Sequence, residues 1–161
     1  MENSITIQNL ESAFAGESMA FMKYTYFANV CRELGDEETA KVFEATAKQE
    51  LKHAQGHADL LFPRSKMTVE NCLEYAIEGE TYEYTEMYPT FKHKAMEEGD
   101  SDAVREFDEQ IAESKEHAES FKSTLDKAVK RFSALAKVEE RHANNYKETL
   151  RKVQSWESIY V

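Results

Sequence analysis

Cysteine, proline and glycine are all scarce in this chain. The two cysteines, Cys31 and Cys72, stand far apart with no C-x-x-C spacing. That excludes a Cys-based zinc or iron centre and a disulfide framework. It suits reduced, buried thiols in a cytoplasmic protein. Two prolines and five glycines in 161 residues leave few helix breakers, and with 41% apolar residues the composition is that of an all-α protein. No apolar run approaches membrane length and no signal peptide precedes the first periodic segment, so no membrane contact is expected. Positive charge is in deficit too. Twenty Lys and Arg face 31 Asp and Glu, for a net charge of −11, which argues against a nucleic-acid partner. An acidic chain can attract metal cations, although most of this charge is expected to serve as solvated surface.

What is present is long helical periodicity, expected to form one domain over 1–161, with a helical core of about 4–153 and a tail at 154–161. The first helix runs from about Ser4 to Leu34, with Ile7, Leu10, Phe14, Met22, Phe27 and Val30 at helical spacing. Gly35-Asp36 stops it and caps a second helix over Glu37 to Leu61. A connector with Pro63 follows, and Thr68 caps a third helix that runs to about Glu98, with a kink expected at Pro89. Gly99-Asp100 repeats the stop-and-cap signal. From Ser101 to about Val153 no glycine or proline interrupts the pattern, which implies an extended or additional C-terminal helix. Trp156 and Tyr160 are expected to dock on a surface or on another subunit.

The chain repeats itself. Leu34-Gly35-Asp36 through Phe43 resembles Glu98-Gly99-Asp100 through Phe107, and the same shift maps His53 onto His117 and Ala54 onto Ala118. Gly16-Glu17-Ser18 resembles Gly79-Glu80-Thr81 in the same way. The spacing from Glu17 to Gly35 is 18 residues, whereas Glu80 to Gly99 is 19. Two related helical hairpins are implied, each with polar groups at mid-height. Equal arm lengths bring Glu17 level with Glu50. Glu50 and His53 are three apart, so both leave the same helix face. Glu17, Glu50, His53, Glu80, Glu83 and a further His thus gather at one height. Such carboxylates repel one another inside a bundle unless cations neutralise them. Hard oxygen donors with imidazole suit iron or manganese, and two metals bridged by Glu balance the charge.

Three stretches then resemble the rubrerythrin family of the ferritin-like superfamily: Ala13-Phe14-Ala15-Gly16-Glu17-Ser18-Met19-Ala20, Glu50-Leu51-Lys52-His53-Ala54, and Gly79-Glu80-Thr81-Tyr82-Glu83 on to Pro89. The resemblance covers roughly residues 5 to 150. It implies a ferritin-like four-helix bundle with a non-haem di-iron centre that reduces hydrogen peroxide to water in oxidative-stress defence. Carried over, Glu17, Glu50, His53, Glu80 and Glu83 are metal ligands. Tyr24 and Tyr88 are implied to hydrogen-bond ligand carboxylates and orient them. Glu83 and His53 are the residues that the family's redox-linked ligand exchange would use. The cofactor implied is two iron ions, with manganese or a mixed pair as the alternative.

Two departures from the family matter. The sequence contains no Cys-rich rubredoxin-type module, so electrons are expected from a separate rubredoxin-like protein or a flavin reductase system. The second departure concerns the last ligand pair. Repeat and family spacing both put a Glu at position 114, which is Ser114. His117 is in place, and Glu113 is the nearest substitute for its partner. Twenty-five residues on, Phe132 to Tyr146 resembles Phe107 to Phe121, and there Glu139 and His142 keep the ligand pattern intact. The expected ligand set therefore ends in Glu139 and His142, with Glu113 and His117 as rivals. On a straight helix Glu139 sits about 37 Å beyond position 114. It can reach a site only through a bend or in another subunit.

The connector constrains assembly. If the second and third helices run parallel with Glu50 and Glu80 level, the return from Leu61 to Val69 must cover about 33 Å. Eight residue steps reach at most about 28 Å. A domain-swapped homodimer is expected. Beside the peroxidase reading stand a ferroxidase or oxidase, an iron-binding ferritin-like protein, and a helical interaction protein with a decayed metal site.

Overall fold

The computed structural model describes residues 4–157, except for the side chains of 155–157. The last four residues, Tyr160 among them, and the Trp156 side chain lie outside the described parts. Among the described residues the regular structure is entirely helical, as the composition implied. The chain divides into two compact units, Met1–Met67 and Thr68–Val161.

The first unit is a hairpin of α1 (Ile5–Glu33) and α2 (Glu37–Leu61), which pack along one another. Ser4 caps α1 by accepting from the Ile7 backbone N–H at 3.2 Å. At the far end Gly35 takes φ +86°, a conformation glycine adopts without a Cβ penalty. The Asp36 N–H then bonds back to the Cys31 carbonyl at 2.8 Å, and the Asp36 carboxylate accepts from the Thr39 N–H at 2.9 Å. Those hydrogen bonds from Thr39 hold the Asp36 carboxyl below its usual range. One residue closes α1 while its neighbour opens α2.

The second unit repeats this turn sixty-four positions later. Gly99 has φ +76°, the Asp100 N–H bonds to the Ala95 carbonyl at 3.0 Å, and Asp100 accepts from the Ala103 N–H at 3.0 Å. Before the turn come α3 (Val69–Tyr82), a π-helical segment (Glu83–Met87) and α4 (Tyr88–Glu98). After it runs α5 (Ser101–Glu157), 57 residues long, which carries the helix through the start of the expected tail. Arg64–Lys66, in the segment between α2 and α3, forms one 3-10 turn.

The expected kink at Pro89 is displaced. The irregularity is the π segment, and Pro89 sits at the start of the α-helix that follows it. A proline in the first turn of a helical stretch lacks only an N–H that would be orphaned there. The π segment has its own cause. The arm from Glu80 to Gly99 holds one residue more than the arm from Glu17 to Gly35. A helix that must absorb one extra residue while keeping both ends in register widens locally to i→i+5 bonding, seen here as Tyr88 N–H to Glu83 C=O.

The buried positions are small. Ala40, Ala47 and Ala54 recur every seventh residue on α2 and bury with Ala28 of α1; Ala95, Ala118 and Ala128 are the buried alanines of the second unit, without that spacing. Seven-residue spacing keeps one seam facing its partner helix, and alanine lets the backbones approach closely. An aromatic cluster stands in each hairpin. Phe43 meets Tyr24 at 5.9 Å and Phe27 at 5.6 Å in the first hairpin. Tyr88, Phe91 and Phe107, each shifted by sixty-four residues, meet one another in the second, at 5.9–6.4 Å.

Candidate metal centre

In the first unit, α1 contributes Glu17 and α2 contributes Glu50 and His53. The equal arms bring them together: one ligand atom from each lies within 4.8 Å of the others. His53 Nδ1 is 2.9 Å from Glu50 Oε2 and 3.8 Å from Glu17 Oε2. The Glu50 side chain is only 18% exposed, while His53 is more than half exposed. Two carboxylates converging on one imidazole carry a formal excess of negative charge, which a cation would relieve. The remainder of α2 explains the placement. Glu50 is three residues past Ala47 and four before Ala54, so the alanine seam holds it toward α1.

In the second unit the corresponding groups are spread differently. His117 Nδ1 lies 3.4 Å from Glu80 Oε2. That oxygen is buried and has no hydrogen-bond partner, an arrangement that costs free energy unless something else coordinates it. Glu83, the first residue of the π segment, turns its Oε2 to the hydroxyl of Ser114, which donates at 3.0 Å. Ser114 is 3% exposed, the one buried polar residue among those described. It fills the place that the repeat assigns to the counterpart of Glu50. Among the described residues only the first unit brings three ligand atoms within 4.8 Å. Tyr88 reports the local charge. Burial first, then the charges of Glu83, Glu80 and Glu106, push its hydroxyl above the ordinary phenol range.

Glu113 lies exposed on α5. Glu139 and His142 also lie exposed on α5, 3.7 Å apart. The bend that could carry them back to Ser114 is absent, because α5 is continuous across Asp126. The Ser114–Glu83 bond was not foreseen from the sequence, although the missing carboxylate at position 114 marked the place. The π segment was equally unforeseen, although the count of 19 against 18 contained it.

The donor sets fit iron. Each is rich in carboxylate oxygen with one imidazole, and a buried carboxylate oxygen lacks a hydrogen-bond partner. Helical hairpins that aim Glu and His side chains at a common height define a class, the helical carboxylate–histidine metal proteins. Within that class, the rubrerythrin family pattern matches residues 8–125. The chain belongs to the rubrerythrin family of ferritin-like di-iron proteins. It is similar to nigerythrin of Nitratidesulfovibrio vulgaris, 40% identical over 128 residues that cover 72% of this chain and 63% of that one. It is similar to rubrerythrin of Porphyromonas gingivalis, 40% identical over 62% of this chain and 55% of that one. A putative rubrerythrin of Methanocaldococcus jannaschii is 35% identical over 74% and 69%. Among solved structures, fully reduced, all-ferrous nigerythrin matches at 36% identity with a TM-score of 0.38, covering 77% of this chain and 68% of that one. The chain thus spans about 55–63% of the first two of these curated relatives. The relatives speak for iron and lend manganese no support.

Proposed function

We propose that this chain is a peroxidase that reduces hydrogen peroxide to water at a di-iron centre. The observation that carries this reading is the convergence of Glu17, Glu50 and His53. In it, the ligands are Glu17, Glu50 and His53 of α1 and α2, with Glu80, Glu83 and His117 of the later helices. Four carboxylates balance the charge of two divalent ions, and one imidazole falls to each ion. When bound, the iron pair supplies two electrons and the Lewis acidity that cleaves the O–O bond. Two protons are consumed as two waters form.

The protein's part is to position groups. The half-exposed His53 and the Ser114-bound Glu83 are the pair that would exchange at one iron, as in the family. Tyr88, whose hydroxyl pKa is raised by burial and then by Glu83, Glu80 and Glu106, would hydrogen-bond and orient a ligand carboxylate. Tyr24, its counterpart in the first hairpin's aromatic cluster, would orient a ligand carboxylate in the same way. The approach of His117 to Glu80 supports it as the last imidazole, ahead of Glu139 and His142.

The two cysteines are free and form no four-cysteine electron carrier, so the electrons come from a site outside these residues, such as a rubredoxin-like protein or a flavin reductase. No helix among the described residues is long and apolar enough to cross a membrane, and the free thiols support a cytoplasmic setting. The seven residues between α2 and α3 are too few to return the chain along a bundle height of about 33 Å, and a 3-10 turn shortens them further. That supports an exchange of hairpins between two copies, each centre taking α1 and α2 from one chain and the later helices from the other.

Ser114 favours a second reading. Ser114 puts a neutral hydroxyl where the repeat has a carboxylate, so the second group would offer iron one anionic ligand fewer, which favours a ferroxidase or oxidase that uses oxygen. Anaerobically reduced protein mixed with peroxide or with oxygen separates the two. Reoxidation much faster with peroxide, at about two irons per chain, is expected. Equal rates favour the oxidase, and protein that retains no iron overturns both.

A further inference from the structure

The distal half of α5 takes no part in the chemistry above. From Lys137 to Gln154 every residue except Val138 is exposed. Yet its pattern is not that of a solvated helix. Leu125, Phe132, Glu139, Tyr146 and Val153 recur every seventh residue; Ala128, Leu135, His142 and Thr149 form the companion row. Val129, Ala136, Ala143 and Leu150 widen the stripe along one flank. Apolar members of the stripe lie open: Phe132 is 47% exposed, Leu135 53%, Tyr146 76% and Val153 53%. Two rows at this spacing over four heptads are a seam for a second helix.

Charge narrows the choice of partner. Residues 127–161 hold eight Lys and Arg against four Asp and Glu, while residues 1–126 hold twelve against twenty-seven. A basic amphipathic helix can meet an anionic membrane, an acidic protein or another copy of itself. Glu139 and His142 decide among these. Both stand in the middle of the apolar stripe. A bilayer or an apolar groove would desolvate this pair with only its own 3.7 Å contact to offset the cost, whereas a second copy supplies each member with a further partner.

We propose that this segment pairs antiparallel with the same segment of a second copy, about a twofold axis between Glu140 and Arg141. In that register the Glu139 of each copy meets the His142 of the other, and the two crossed pairs flank the axis. Leu135 meets Tyr146 of the second copy, and Phe132 meets Thr149 beside Leu150. Val129 then lies against Leu150, and Ala136 against Ala143. The alternatives fail on the same residues. A parallel pair sets Glu139 against Glu139. An antiparallel pair slipped by one heptad sets Glu139 against Leu135 or Thr149. The two polar residues thus fix both direction and register, as a buried polar position does in coiled coils.

Directed cross-linking of the iron-loaded, full-length chain tests this, in a background with Cys31→Ser and Cys72→Ser. Leu135→Cys protein and Tyr146→Cys protein are oxidised separately and as a mixture. The mixture should give a covalent dimer of one chain of each kind. Neither protein alone should, since like residues stand about 16 Å apart along the axis. Phe132→Glu in both chains should abolish the product. Self-linking of either single variant means parallel helices and overturns the proposal. So does a mixture that fails to link, or one that links equally well with Phe132→Glu. Co-sedimentation with anionic vesicles in place of linking would reassign the segment to a membrane surface. Iron content, read on the same samples, bears on the peroxidase reading and leaves the cross-linking result untouched.

Discussion

In the first hairpin, α1 runs through Glu17 without interruption, and α2 answers with Glu50 and His53. In the second, the helix carrying Glu80 opens into a π segment at Glu83, and α5 answers with Ser114 and His117. The two share turns, caps and aromatic clusters at matching positions, and both bury alanine, with Ala54 and Ala118 in register. They differ by one inserted residue and by Ser114 in place of a carboxylate. The inserted residue brings Glu83 into play where the first hairpin has only Ala20. The serine then ties Glu83 down. One hairpin pattern thus carries two unequal groups, a compact three-ligand cluster and an opened one with a carboxylate oxygen that lacks a hydrogen-bond partner.

Breaking the compact cluster should have the largest effect. Glu50→Ala removes the least exposed carboxylate of the group, and iron retention measured by elemental analysis should collapse. The loss should exceed the ~10–100-fold that follows removal of a group that only supports a ligand. Deleting Thr85 should erase the difference in arm length. The second arm would then match the first in length, α-helix would replace the π segment, and helical content by circular dichroism should persist. Peroxide reduction should fall by about 100-fold, the scale of a ligand misplaced by roughly an ångström.

Ser114→Glu should sharpen the comparison from the other side, by giving the second hairpin the carboxylate of the first. Iron affinity in a chelator competition should rise about tenfold, in keeping with the gain of one ligand group. An unchanged affinity would mean that Glu83, freed from the serine, leaves the site. The smallest effect is electrostatic. Glu83→Gln removes one of the charges that raise the Tyr88 hydroxyl, so in metal-free protein its ultraviolet titration should move down toward the usual phenol value of 10.0. The sign carries to stability. A hydroxyl whose folded pKa is raised contributes stability that is complete below the unfolded value and lost as pH climbs through the folded one. The variant should therefore lose less stability than wild type above about pH 10.

Much of this comparison was legible in the sequence, where punctuation is local. Gly35-Asp36 and Gly99-Asp100 announced both turns, and the second helix keeps the expected bounds of Glu37 and Leu61. The absence of breakers after Ser101 announced α5. The convergence of Glu17, Glu50 and His53 followed from counting residues up and down equal arms. What stayed hidden depends on packing. The buried seam is alanine, which periodicity of large apolar residues does not reveal. Pro89 drew attention from the π segment just ahead of it, although the extra residue was countable. The contact between Ser114 and Glu83 joins residues 31 apart through the side-chain direction that the π segment imposes, which no local pattern encodes.

The alanine seam of α2 has a consequence for the lifetime of the protein. An interface of small side chains stores little cohesion of its own, and among the described residues no large side chain is fully buried. Whatever is held by Glu17, Glu50 and His53 then supplies much of what keeps α1 and α2 together, because a ligand bound only by the folded form stabilises it by mass action. Resistance to proteolysis becomes a gauge of loading. Metal-free chains should then be cut faster than loaded ones in limited proteolysis.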